Sequence, residues 1–211
     1  MMSEVAHEKF GFLKKLALEK GAINAEIIPT DQVVIEDRIV LKCKLGCTNY
    51  GKTLMCPPHT PTPQEFRKIT SEYSYALFMK FKSRAKADPK LAKYLAKAEN
   101  DPTIPEEAKS KVQEFWADWK KDKLKMLSTV LDLEKAAKKK GYLLPIALVS
   151  GYCHLCKKCT LNRATCANPT KARFSGEAVG VNIKSTAKNA GVEFTLPFKK
   201  TLETYAMLLI D

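Results

Sequence analysis

Two sets of cysteines carry the chemistry available to this chain: Cys43, Cys47 and Cys56, then Cys153, Cys156, Cys159 and Cys166. The second set is written GYCHLCKKCTLNRATC, so its first three thiols recur at C-x2-C-x2-C spacing. Three thiolates that close in one loop can point inward at a single cubane, whereas most zinc sites pair two C-x2-C knuckles from separate loops. A cysteine can also be a small buried hydrophobe. Here the flanking residues are Lys157, Lys158, Arg163 and turn formers, which is not a core pattern. Seven is an odd count, and closely spaced cysteines in a reducing compartment bind metal more often than they pair.

The C-x2-C-x2-C triple resembles the bacterial ferredoxin run C-x2-C-x2-C-x3-C-P of iron–sulfur proteins. In this chain the fourth cysteine, Cys166, follows after six residues, and Pro169 lies three residues beyond it. Two arrangements follow. In one, Cys153, Cys156, Cys159 and Cys166 hold one [4Fe-4S] cluster, and Cys43, Cys47 and Cys56 hold a second with one iron lacking a cysteine. His59 caps that iron, or the iron stays open to a small molecule and acts as a Lewis acid. In the other, the sets exchange ligands, as the fourth cysteine of a ferredoxin run does. A single cluster with three spare thiols, or zinc in place of iron, are the remaining forms. His154 sits between two cysteines and is expected to point away from them. Lys157, Lys158, Arg163, Lys171 and Arg173 around the second set, and Lys52 at the first, are expected to stabilise thiolates and favour a reduced cluster.

The first set also spells a competing motif. Gly46, Gly51, Lys52 and Thr53 fit G-x-x-x-x-G-K-[ST], a phosphate-cradling loop. That loop needs a helix straight after Lys-Thr, whose first amides face the phosphates. Pro57, Pro58, Pro61 and Pro63 follow instead, removing donors and forbidding a continuous helix. The stretch therefore reads as a metal loop.

Both loops need regular elements to position them. Val5, Phe10, Leu13 and Leu16 make the first segment an amphipathic helix that Gly21 ends. AEIIP, VVIEDRIVLKC (with a bend at Glu36-Asp37), YALFMKFK, the apolar run 142–149 and the closing TYAMLLID read as strands. Pro145 weakens the fourth of these. Between 85 and 141 lies a lysine-rich helical hairpin. Its first arm starts at Asp88-Pro89, with Leu91, Tyr94, Leu95 and Ala98 on one face, and breaks at Asn100-Asp101-Pro102. Thr103 and Glu106 have capping-box spacing at the start of the second arm. That arm runs through Ala108, Val112, Phe115, Trp119, Leu127 and Leu131 to Lys138–Lys140 and Gly141. Two short helices are expected at 175–180 and 183–190.

Strands alternating with helices predict an α/β fold with a partly parallel central sheet, flanking helices and the cysteine-rich loops at the strand ends. Loops after parallel strands share one edge, so the two thiol sets are expected to meet there. A length of 211 residues fits one domain, 1–211, carrying the 85–141 section as an insertion.

Lys and Arg outnumber Asp and Glu by 36 to 23, a balance of +13. Most lysines lie on polar helix faces, and Trp116 and Trp119 read as core packing rather than base-stacking platforms, so nucleic acid is not the expected partner. An acidic redox protein is. No targeting segment is visible, and the longest apolar run is far short of the roughly 20 residues a membrane helix needs. A cytoplasmic protein without membrane association is expected. No Ser-His-Asp set, paired carboxylates or dinucleotide fingerprint points to a metal-free enzyme.

Taken together, the chain resembles the predicted metal-binding proteins of domain-of-unknown-function family 2284, found mostly in anaerobic archaea and bacteria. The resemblance rests on Cys43, Gly46, Cys47, Tyr50, Gly51, Lys52, Cys56, Pro57 and Pro58, on the GYC-x2-C-x2-C block, on SGEAVGVN and on the chain end YAMLLID. It covers most of the chain outside 85–141. It implies metal binding, with iron–sulfur as the expected form, and no particular activity. The thiol spacing and the basic surroundings make electron exchange with a protein partner the expected role.

Overall fold

A computed structural model describes residues 2–86, 88–95, 97, 101–194 and 202–211. The strands are β1 Ala22–Pro29, β2 Tyr75–Lys82, β3 Ile146–Leu148 and β4 Glu203–Leu209. They form a four-stranded sheet in the order β1-β2-β4-β3, and every neighbouring pair is antiparallel. The expected partly parallel sheet is therefore corrected. The one parallel pairing among the described residues is an isolated bridge, Val149 to Ser175, outside the sheet. The signal that misled is the alternation of strands with helices, which suits an antiparallel return as well as a parallel crossover. The apolar runs of β2 and β4 mean only that both faces are covered.

Both faces are indeed covered. Leu77, Met79, Ala206, Leu208 and Ile210 face one layer, where they meet Phe10, Leu13 and Ala17 of α1 Met2–Glu19 and Met126, Val130, Leu133 and Ala137 of α5 Glu106–Lys139. Ala76, Phe78, Tyr205, Met207 and Leu209 face the other. There they meet Phe66 of α3 Pro63–Thr70, Ala187 of α6 Ile183–Asn189, and Val179 and Val181 of the SGEAVGVN segment. Gly21 leaves α1 at φ +101°, as its position predicts. Val5's side chain lies outside the described residues.

The second expected strand is mostly a helix. Ile35 makes a lone bridge to Val181, and the chain then turns into α2 Asp37–Gly46, with Val40 buried and Leu41 and Leu45 exposed. Its β-branched residues suit a strand in isolation, but tertiary contacts override so weak a preference. The guanidinium of Arg67 donates to Ile35 O at 3.3 Å and to Asp37 Oδ1 at 2.8 Å, which holds the turn. Asp37 also suits the positive end of the helix.

The 85–141 section is dominated by one helix. α5 has 34 residues, about 50 Å at 1.5 Å per residue. Its C-terminal half packs on the sheet, while Ala108 and Val112 near its start pack against Leu91 and Ile104. The first arm shrinks to a 3-10 turn, Pro89–Leu91, and α4 Ala92–Leu95. Ala98 and Asn100 lie outside the described residues. The expected capping box at Thr103 is absent, because Asp101 takes the Thr103 N–H and α5 starts behind Pro105 without a side-chain cap. A full capping box forms instead at Thr62 and Glu65, opening α3. Gly141, at φ +94°, ends α5 after three lysines as expected.

Candidate metal centre

β1 ends beside the start of β2, since Pro29 pairs with Tyr75. The chain must therefore return along the sheet before it can reach the other edge. Residues 30–46 make that return and bring α2, whose Arg38, Ile39 and Lys42 line a cavity with Glu203, Thr204 and Tyr205, to the end of the sheet where β4 begins, with Cys43 in its last turn and Cys47 just after it. β3 runs out at the same edge, with Leu148 opposite Met207, and the chain then enters the second cysteine loop. The two thiol sets share a rim, as expected, but by a different route. One follows a short strand and the other follows a helix that doubles back.

The SGEAVGVN segment holds the rim together. Val149 N–H donates to Phe174 O at 2.8 Å, and Gly176 N–H donates to Val149 O at 3.0 Å, tying the segment to the strand before the second set. Glu36 N–H donates to Gly180 O at 2.8 Å, and the Asn182 amide donates to Glu36 Oε2 at 3.1 Å, tying it to the start of α2. Thr60 Oγ1 reaches Ala178 O at 3.1 Å from beyond Cys56. Gly180 has φ +89°, and a Cβ there would stand 2.8 Å from Pro63, so the packing requires glycine.

Residues 47–60 form successive turns: Tyr50 N–H to Cys47 O, Gly51 N–H to Pro57 O, Cys56 N–H to Thr53 O, and His59 N–H to Cys56 O. No helix follows Lys52 and Thr53 before Pro63, so the phosphate-loop spelling has no phosphate-loop structure. Cys43, Cys47 and Cys56 line a cavity of about 160 Å3 with Tyr50, Gly151 and Tyr152.

All seven cysteines are free, and their burial is graded. Cys56 is buried, Cys43 half-buried, Cys47 and Cys156 exposed. Burial pushes the Cys56 thiol up, Thr53 draws it back, and Cys47, Cys43 and Cys153 add repulsion. Burial likewise raises Cys43, with Cys47 next. Burial raises Cys153, the Leu155 N–H opposes it, and Cys156, Cys159 and Cys166 raise it further. Cys166 stands with the C-x2-C-x2-C triple, and Cys153 stands near the first set. Asn168 Nδ2 donates to Cys156 Sγ at 3.3 Å.

The charged neighbours divide. Lys52, Lys157, Lys158 and Arg163 are exposed, and none makes an ion pair among the described residues. Lys171 is exposed too. Arg173 is not a thiolate partner. Its guanidinium forks onto Glu134 of α5 at 2.7 and 2.5 Å, while Glu134 Oε1 also accepts the Ala147 N–H at 2.8 Å. This clamp fastens the return limb of the second loop to α5 and β3. His59 is exposed. The His154 ring lies 3.9 Å from the Tyr152 ring, its Nε2 is buried without a hydrogen bond among the described residues, and burial helped by Lys123 and Lys120 lowers its pKa to about 4.

Sequence reasoning missed a second, larger cavity of about 660 Å3 beside the first set. It lies between α2, α5 and the start of β4, and Lys42, Gly151 and Glu177 line both cavities. Lys123 of α5 lines it and is 4% exposed. The signal was in the sequence. Phe115, Trp119, Lys123 and Met126 follow one another at helical spacing, so Lys123 occupies a position on an apolar face.

The donor set suits a thiophilic cation or cluster: seven free thiols, three of them raised by burial, with N–H groups aimed at Cys153 and Cys156. Among the described residues no three or more Cys, His, Asp or Glu side chains are gathered as they would be around one bare ion. No described helix is long and apolar enough to cross a membrane. Comparison with curated proteins and with solved structures returned no match. Comparison with protein families matches residues 26–210 to the family described as predicted metal-binding protein, DUF2284. The match spans both thiol sets and all four strands except the first residues of β1, and the chain belongs to that family.

Proposed function

We propose that this chain is an iron–sulfur protein that exchanges electrons with an acidic protein partner. Cys153, Cys156, Cys159 and Cys166 hold one [4Fe-4S] cluster. Cys43, Cys47 and Cys56 would hold a second, with one iron left without a cysteine. The observation that carries this reading is the convergence of two distant thiol sets at one rim, close enough for Cys153 to act on Cys56. The C-x2-C-x2-C spacing favours a cluster over zinc, whose sites more often pair two C-x2-C knuckles from separate loops. One zinc draws its sulfurs to about 2.3 Å from a single point, whereas a cubane distributes its thiolates over separate irons.

Clusters supply one-electron exchange, and an iron without a thiolate supplies a Lewis-acid position. The chain's own residues do the rest. The Leu155 N–H and Asn168 hydrogen-bond sulfur and stabilise thiolate charge. Lys157, Lys158 and Arg163 place exposed positive charge around the outer set, where a negatively charged partner would be steered.

Anaerobic purification tests the reading. Iron and sulfide near eight per chain, roughly the content of two cubanes, are expected, and about four would leave one cluster. Zinc alone, or colourless iron-free protein, would overturn it. A second reading, an enzyme acting on a small molecule at the open iron, is favoured by the large cavity that shares three residues with the thiol cavity.

A further inference from the structure

We propose that the larger cavity is a binding site for a small organic acid with an apolar body, anchored through its carboxylate by Lys123. The inference concerns the cavity and does not depend on which metal the thiols hold.

A volume of about 660 Å3 falls within the range of small-molecule sites. Lys123 is nearly sealed from solvent, yet among the described residues its ammonium makes no hydrogen bond and no ion pair. It sits over the Trp119 ring, 4.3 Å away. A buried ammonium without an anion is expensive unless something else supplies one. The carboxylates near it are committed elsewhere. Glu203 takes Lys80 at 2.8 Å and the Tyr205 hydroxyl at 3.0 Å. Glu177 takes Lys42 at 3.3 Å through Oε1 alone, and Asp122 takes Ser83 and Arg84. Glu177 and Asp122 act on Lys123 through space without reaching it.

The walls define the rest of the ligand. Trp119, Phe194, Val181 and Ile183 offer flat and apolar surface. Glu177 Oε2 is buried and has no hydrogen-bond partner among the described residues, so it offers an acceptor on the side shared with the thiol cavity. An acid that carries a hydroxyl or amino donor at its far end satisfies both orphaned groups at once. A single buried ammonium matches a single negative charge, and a phosphate dianion would leave charge uncompensated in an apolar chamber.

Titration calorimetry on the anaerobically purified full chain, slightly below neutral pH, tests this with 4-hydroxyphenylacetate and its neutral amide. The acid is expected to bind, the amide at least about tenfold more weakly. Lys123→Met is expected to abolish the preference for the acid, and Glu177→Gln to weaken both probes while leaving that preference. Equal binding of acid and amide, an unchanged preference in Lys123→Met, or no heat from the acid at about 10 mM, where even weak sites register, would overturn the proposal. Iron and sulfide measured on the same samples keep the two readings apart. Acid binding by an iron-free chain supports the cavity and sinks the cluster, and full iron without acid binding does the reverse.

Discussion

Lys123 should make the protein less stable than it would be without it. Burial lowers its pKa from 10.5 to about 7, with Glu177 and Asp122 pulling it back up and Lys42 pushing it down. The unfolded chain therefore binds a proton that the folded chain holds only in part between those two values. Stability must rise with pH across that window. At about 1.4 kcal/mol per pKa unit, the drop withholds about 4 kcal/mol from folding at neutral pH, as an upper figure. Relaxation and water entry reduce such penalties. Lys123→Met removes the charge and leaves an apolar chain of similar length, losing a cation–π contact of about 0.5–2 kcal/mol. The balance is a gain of about 2 kcal/mol, or about 1 M in the urea midpoint if the slope is near 2 kcal/mol per M. Urea unfolding followed by circular dichroism at about pH 6 and about pH 9.5 reads both the gain and its pH dependence. The advantage of the variant should shrink at the higher pH. A variant less stable than the parent at the lower pH, or an advantage that does not change with pH, would refute the reasoning.

Three further outcomes follow from the same geometry. Arg173→Ala leaves the buried Glu134 carboxylate facing only the Ala147 N–H and should cost about 3–5 kcal/mol in urea unfolding. Gly180→Ala drives a methyl to within 2.8 Å of Pro63 from a left-handed backbone, so it should cost about 1–3 kcal/mol and lower the iron bound by the first set more than by the second, read by iron analysis in a Cys156→Ser background. Lys157→Glu with Lys158→Glu should lower the midpoint potential of the outer cluster in a protein film, and an unchanged potential would remove these lysines from the redox account.

The thiol sets and most strands were legible because each rests on a local signal, whereas the shared rim was expected from a parallel sheet and is reached by another route. Cysteine spacing, the apolar run of β2 and the glycine stops at Gly21 and Gly141 need no knowledge of the rest of the chain. What was illegible rests on partners far away in sequence. α2 is a helix because Arg67 clamps its start and SGEAVGVN packs beside it, neither of which its own composition reports. Strand direction failed because it was read from strands alternating with helices, and one of those strands, residues 33–43, is mostly α2. Arg173 looked like a thiolate partner because it lies only a short way along the chain from Cys166. Its true partner, Glu134, lies 39 residues away on α5, where no local pattern points to it.

The burial gradient assigns the two sets different work on the proposed reading. Cys156 and its neighbours Lys157 and Lys158 are exposed, so on that reading the outer set would face the protein partner. Cys56 is buried, and its set opens on a cavity of about 160 Å3 that shares lining residues with the chamber of about 660 Å3. An electron carrier alone needs the outer set and has no use for a chamber with a buried ammonium that lacks an anion. An enzyme alone needs the chamber and has no use for a second set ringed by exposed cations. If both sets hold clusters, a path from Cys156 through Cys153 and Cys56 toward the chamber would use both, and the carrier and enzyme readings would become two ends of it. Reversing charge at Lys157 and Lys158 should then slow reduction by an acidic donor protein while leaving 4-hydroxyphenylacetate affinity unchanged. If both change together, the two ends are not separable and the path is wrongly drawn.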